Sequence, residues 1–249
     1  RPVAITDAIV VEEGFRVSDL ERIMKSMDST ASEAGVAIIG GDVKVMPRGK
    51  LDKIVVATCG VGIARRGSII MDSGARPGDK VIITGSIGDH GVALLSKRMG
   101  LAFETELRSD VAPIWKVTEA VLDVGGVTAM KDPTRGGIAS ALNEIASKSR
   151  VSVWLDEEKI PIKDSARAAC EMLGLDPFEI TCEGKAVICV RPEKAEAALE
   201  AIKRAMYGSE AAIVGTTKAE RPGYVFLETV VGGTRIIEKP IGEPIPRVC

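Results

Sequence analysis

Asp132-Pro133-Thr134-Arg135-Gly136-Gly137-Ile138-Ala139-Ser140-Ala141-Leu142-Asn143-Glu144-Ile145-Ala146 joins a carboxylate, a rigid turn, a guanidinium and paired glycines to an apolar run. The run predicts a helix over 137–147, entered through the glycines. A helix start presents unpaired N–H groups and the positive end of its dipole, a natural seat for an anion. Asp132 suits magnesium, and Thr134 and Arg135 stand where a phosphate would be met. The competing reading is a helix cap with a structural ion pair.

Outward from this stretch, helices and strands mix. Toward the N-terminus, Lys80–Thr84 reads as a strand, followed by the glycine-bracketed turn Gly85–Gly91 and a helix through 93–98. The turn holds the single histidine, His90. It can act as a general acid or base, or cap the turn as a structural imidazole. Further helices are expected at 111–122, 165–173 and 194–206, and strands at 151–155, 186–190, 211–214, 224–228 and 234–238. A helix over 18–34 is capped by Ser18 and closed by Gly35. Val36–Ile39 is expected as a short buried strand that ends at Gly40-Gly41-Asp42, and 54–58 as another strand.

Composition sets outer limits. A chain of 249 residues suits two modest domains. It is 45% hydrophobic and 3% aromatic, so aliphatic residues and Met must build the core. A net charge of −2 gives no electrostatic case for nucleic acid or an anionic membrane surface. No run approaches the roughly 18 apolar residues that span a bilayer. The five cysteines form no C-x-x-C pair and point to reduced thiols in a cytoplasm. Cys59, Cys170 and Cys189 lie in apolar stretches and are expected in the core. The chain opens on Arg1 rather than methionine and is read as a fragment.

Three more stretches can carry chemistry. In Gly40-Gly41-Asp42-Val43-Lys44 the glycines allow close approach to a ligand, Asp42 can hold a metal or ribose, and Lys44 can neutralise phosphate. An ordinary turn is the alternative. Thr181-Cys182-Glu183-Gly184 sets a glutamate beside glycine, a possible base. The tail Lys239–Cys249 carries Pro240, Pro244 and Pro246 and favours extended conformations. Its terminal thiol is either an incidental surface cysteine or one carried into an active site.

Taken together, EEGF (12–15), GGDVKV (40–45), PGDKVIITGSIGDHG (77–91), DPTRGGIASALNEIA (132–146), TCEGK (181–185) and the closing PRVC (246–249) resemble the hydrogenase maturation factor HypE family. The family is grouped with aminoimidazole ribonucleotide synthetase and selenophosphate synthetase. The resemblance implies an α/β and α+β, two-domain aminoimidazole ribonucleotide synthetase-like fold, its N-terminal domain truncated, with a flexible C-terminal tail. The domains are expected at 1–66, 67–220 and 221–249.

The same resemblance implies ATP and Mg2+, a homodimer, and two partners, the HypF carbamoyltransferase and the HypC–HypD complex. It makes Cys249 the carrier of a carbamoyl group that ATP-dependent dehydration converts to thiocyanate. Asp132 would bind magnesium. Gly40, Gly41, Asp42, Gly136 and Gly137 would line the nucleotide site, with Thr134 and Arg135 beside them. Glu183 would be the base, and Lys44 would neutralise developing charge. The family's leading segment, with further acidic ligands, is absent before Arg1, and Val43 and Val248 stand where threonine and isoleucine are usual. Two other readings remain: a superfamily enzyme acting on a diffusible amide, and a non-catalytic docking module.

Overall fold

A computed structural model describes residues 1–100, 107–242 and 246, so Cys249 and most of the tail that carries it lie outside the described residues. The chain forms two units, Arg1–Ile69 and Ile70–Cys249.

In the first unit, β1 (Pro2–Glu12), α1 (Val17–Glu33), β2 (Ala37–Met46) and β3 (Ile54–Gly62) form a sheet in the order β2-β1-β3. β1 and β2 are parallel, which requires a crossover, and α1 supplies it. β1 carries no strong turn or cap signal and was not anticipated. Ser18 does not cap α1, because the non-helical residue before the helix is Arg16 and Ser18 already lies in the first turn.

Two expectations fail in this sheet. The strand expected to end at Ile39 runs on through Gly40-Gly41-Asp42 to Met46, and Ile39 is exposed rather than buried. The glycines serve pairing here, not turning. The β1–β2 register slips between Ile5 and Thr6, and the Asp7 side chain lies so close over Gly41 that a Cβ there would collide with it. Cys59, expected in a core, is exposed on β3, because a three-stranded sheet leaves much of its outer strands uncovered.

The second unit has one seven-stranded sheet. Its strands are β4 (Lys80–Ile83), β5 (Val127–Lys131), β6 (Ser152–Asp156), β7 (Val187–Val190), β8 (Ala212–Lys218), β9 (Val225–Glu228) and β10 (Thr234–Ile237), in the order β10-β9-β6-β8-β4-β7-β5. All neighbours are antiparallel except β6 and β9. β9 and β10 pair into this sheet, so residues from 221 continue the same unit.

The helices are α2 (Asp89–Met99), α3 (Trp115–Val124), α4 (Gly137–Ser149), α5 (Asp164–Leu173) and α6 (Ala195–Arg204). Alternation along β4 sorts the core into two layers. Val81 and Ile83 pack with Ile138, Leu142 and Ile145 of α4, whereas Ile82 joins Val117 and Val121 of α3 and Ala198 and Ile202 of α6. Strands covered on both faces read as continuous apolar runs, which is why β4 and β7 were legible. β5 was missed: it is short and mixed, and enters from Gly125 and Gly126, both in positive-φ conformations.

Candidate functional site

The run Thr181–Lys185 enters β7 and is buried except at Glu183. Three segments hold it. The Thr181 hydroxyl donates to the Thr134 carbonyl, and the Cys182 N–H to the Pro133 carbonyl at 3.3 Å. Gly91 N–H donates to the Thr181 carbonyl at 3.1 Å. Glu183 N–H donates to Asp110 Oδ1 at 3.0 Å. Gly184 is fixed by contact rather than by φ: a Cβ there would run into the Asp110 carbonyl oxygen and stand 2.9 Å from the Ala112 nitrogen. The glutamate side chain is thus the one group of this run that meets solvent, on a backbone held from three sides.

The turn that leads from β5 into α4 is stitched to the same run. Gly136 and Gly137 take φ of 72° and 59°, the left-handed region in which glycine is favoured. Gly137 packs under the chain, where a Cβ would lie 2.7 Å from the Ile180 carbonyl oxygen, and Ala139 N–H donates to the Phe178 carbonyl at 2.9 Å. One N–H of the helix start is therefore already used by the protein. The open side of the turn is the face of Asp132, Thr134, Arg135 and Gly136. These four line a cavity of about 580 Å³ with Lys131, Ser140, Glu144, Lys239, Pro240 and Gly242. Gly137 is not among its walls.

Glu144 is the charge hub of that cavity. It meets Lys239 at 3.0 Å, Lys131 at 3.3 Å and Lys148 at 3.4 Å. The Lys239 hydrogen bond, outweighing the opposing effect of burial, holds its carboxyl down at about 2. Lys239 begins the tail, so the ion pair ties the tail's first residue to α4. Asn143 reinforces the tie by donating to the Ile237 carbonyl at 2.9 Å. Farther along, Pro246 is buried, and a Cβ on Gly91 would stand 2.9 Å from its Cδ.

His90 shares a 2.8 Å hydrogen bond between its Nδ1 and the Ser109 hydroxyl, which also accepts from Val111 N–H. It anchors the segment that carries Asp110. The three buried thiols are quiet: burial pushes Cys170 up to about 11 and Cys182 and Cys189 up to about 12.

Residues 1–64 match the N-terminal domain of AIR synthase related proteins, and residues 76–228 their C-terminal domain. The chain is 48% identical over 250 residues to the carbamoyl dehydratase HypE of Rhizobium leguminosarum bv. viciae, covering all of this chain and 71% of that one. The chain belongs to the HypE family. A crystal structure of hydrogenase maturation protein HypE in complex with ATP superposes with a TM-score of 0.94 at 41% identity, covering 100% of this chain and 76% of that one. A crystal structure of a HypE–HypF complex gives 0.92 at 42%, covering 96% and 78%.

In this HypE-family chain the glycine–acid stretch lies in the first unit and the other site residues in the second. Asp42 and Lys44 are two apart on β2 and so share a face of the sheet. They stand in register with Ala8 and Val10 of β1, which in turn face Ala57 and Val55 of β3. That row of small side chains leaves both charged groups exposed. Among the described residues no three His, Cys, Asp or Glu side chains converge. A lone exposed Asp132 does fit magnesium, which is commonly held by one or two carboxylates plus nucleotide phosphates and water. Asp110, Ser109, Lys185 and the Glu144 hub were missed. Asp110 is 73 positions from Glu183, and no local motif marks the pair.

Proposed function

We propose that this chain acts in maturation of a nickel–iron hydrogenase as an ATP-dependent carbamoyl dehydratase whose substrate is its own carbamoylated Cys249. The observation that carries the reading is the clamp on Thr181–Lys185, which buries every residue of the run but Glu183 and holds the run by three segments, the glutamate's own N–H by Asp110.

The chemistry follows from the group to be removed. A carbamoyl oxygen leaves poorly until it is phosphorylated. The oxygen attacks the γ-phosphorus of ATP and the bond to ADP breaks. Glu183 takes one N–H proton. Cleavage of the C–O bond then releases phosphate, which carries off the second N–H proton as hydrogen phosphate, and leaves a nitrile on sulfur. Gly136, Thr134 and Arg135 of the second unit are the proposed nucleotide and phosphate contacts there, with Gly137 shaping their turn; in the first unit the proposed nucleotide-binding residues are Gly40, Gly41 and Asp42. The role proposed for Lys44, in the first unit, is neutralisation of negative charge. Asp132 would hold magnesium together with the phosphates, and the ion would supply further neutralisation of their charge.

The HypF carbamoyltransferase loads Cys249, and the HypC–HypD complex takes the cyano group onward. A homodimer is supported by the outer strands of the first sheet, which leave Ile39, Val43, Val45, Val55, Val56 and Val61 exposed. No described helix is long and apolar enough to cross a membrane, and we place the reaction in the cytoplasm. Calorimetry with Mg-ATP on the chain and on Cys249→Ser tests the assignment. Both are expected to bind ATP, with thiocyanate formed only by the chain that keeps the thiol. Thiocyanate from the serine variant, or no ATP binding by either, would refute it.

A further inference from the structure

We propose that Asp110 and Lys185 are positioning residues for Glu183, a buried ion pair that straddles the glutamate and fixes where its carboxylate points; this rests on Glu183 being the base. Asp110 Oδ1 takes the Glu183 N–H at 3.0 Å, and Oδ2 stands 3.6 Å from Lys185 Nζ. One carboxylate therefore holds the glutamate and the residue two positions on. The two side chains are 2% and 8% exposed.

Burying two ionised groups is a poor route to stability, because desolvation consumes much of the Coulomb gain and an apolar pair of equal volume often does as well. Geometry is what such a pair can specify, and its surroundings are built for that. The Lys185 stem lies against Gly85, where a Cβ would be 2.9 Å from its Cε. Gly184, between the two held residues, has no room for a side chain against Asp110 and Ala112. Ser109, bonded to His90 at 2.8 Å, secures Asp110 from behind. Asp110 Oδ2 is the one buried side-chain N or O atom among the described residues without a hydrogen bond. That oxygen is committed to Lys185 by charge alone, so either partner's loss is felt at the loop between them.

The test uses the full chain with Cys249 carbamoylated, followed by single-turnover thiocyanate formation and by ATP affinity. Asp110→Asn and Lys185→Met are each expected to slow turnover about ten- to a hundredfold, the scale of a small misplacement of a catalytic group, with ATP affinity unchanged. Added to Glu183→Gln, Asp110→Asn is expected to cost nothing further. Ser109→Ala, an exposed change that leaves the core intact, is expected to slow turnover a few fold and keeps the question open to measurement if either buried variant fails to fold. Wild-type turnover in these variants would overturn the proposal, as would ATP affinity falling in step with rate. So would a full further loss on top of Glu183→Gln. Wild-type turnover by Glu183→Gln alone would instead remove the base assignment itself.

Discussion

Replacing Glu144 with Gln keeps the shape of the side chain and removes the charge that three lysines share. The folded carboxyl is held at about 2 against an ordinary 4.5, chiefly by its Lys239 hydrogen bond. At about 1.4 kcal/mol per unit, that depression sets a ceiling of about 3 kcal/mol. Lys148 and Lys239 are 48% and 57% exposed, so screening reduces the ceiling to about 1–2 kcal/mol. A depressed carboxyl contributes fully above its unfolded value and loses that contribution as pH falls through its folded one. The window is therefore 4.5 down to about 2. Linkage leaves roughly 40% of the contribution at about pH 3. Urea unfolding of the chain and of Glu144→Gln, at about pH 7 and about pH 3, reads the difference directly. Equal differences at both values, or none at neutral pH, would refute the hub.

Gly184→Ala is expected to destabilise by about 1–3 kcal/mol, because its Cβ meets the backbone of Asp110 and Ala112, which cannot yield cheaply; a urea midpoint equal to wild type would contradict this. Iodoacetamide at mildly alkaline pH is expected to label Cys59 in the native protein and to spare Cys170, Cys182 and Cys189 until denaturant is added. Peptide mapping checks it, and native labelling of Cys182 would refute the buried setting of the Thr181–Lys185 run.

The architecture of the second unit was readable because its central strands are covered on both faces. Val81-Ile82-Ile83 and Val187–Val190 announce themselves as unbroken apolar runs. The first unit was harder to read. Its three strands have few neighbours, so Ala37–Met46 carries glycine, Asp42 and Lys44 in mid-strand, and Gly40-Gly41 looks like a turn until Asp7 is seen lying over Gly41. Local motifs marked Arg135 and Glu183 because each sits beside glycine, and Asp132 because it sits beside proline, near the end of a regular element. The groups that hold them were not marked. Asp110 reaches Glu183, and Lys239 reaches Glu144 across 95 positions, through packing that sequence spacing does not encode.

The central claim is that the carbamoyl oxygen on Cys249 leaves as phosphate while Glu183 removes the proton. Loading Cys249 with a carbamoyl group that carries heavy oxygen, adding Mg-ATP, and following the label by mass spectrometry tests it directly. The account predicts one labelled inorganic phosphate for each thiocyanate formed, and both products only at a small residual rate, slowed on the order of a hundredfold or more, from Glu183→Gln. Label released into water, or thiocyanate formed at the wild-type rate by that variant, would contradict it.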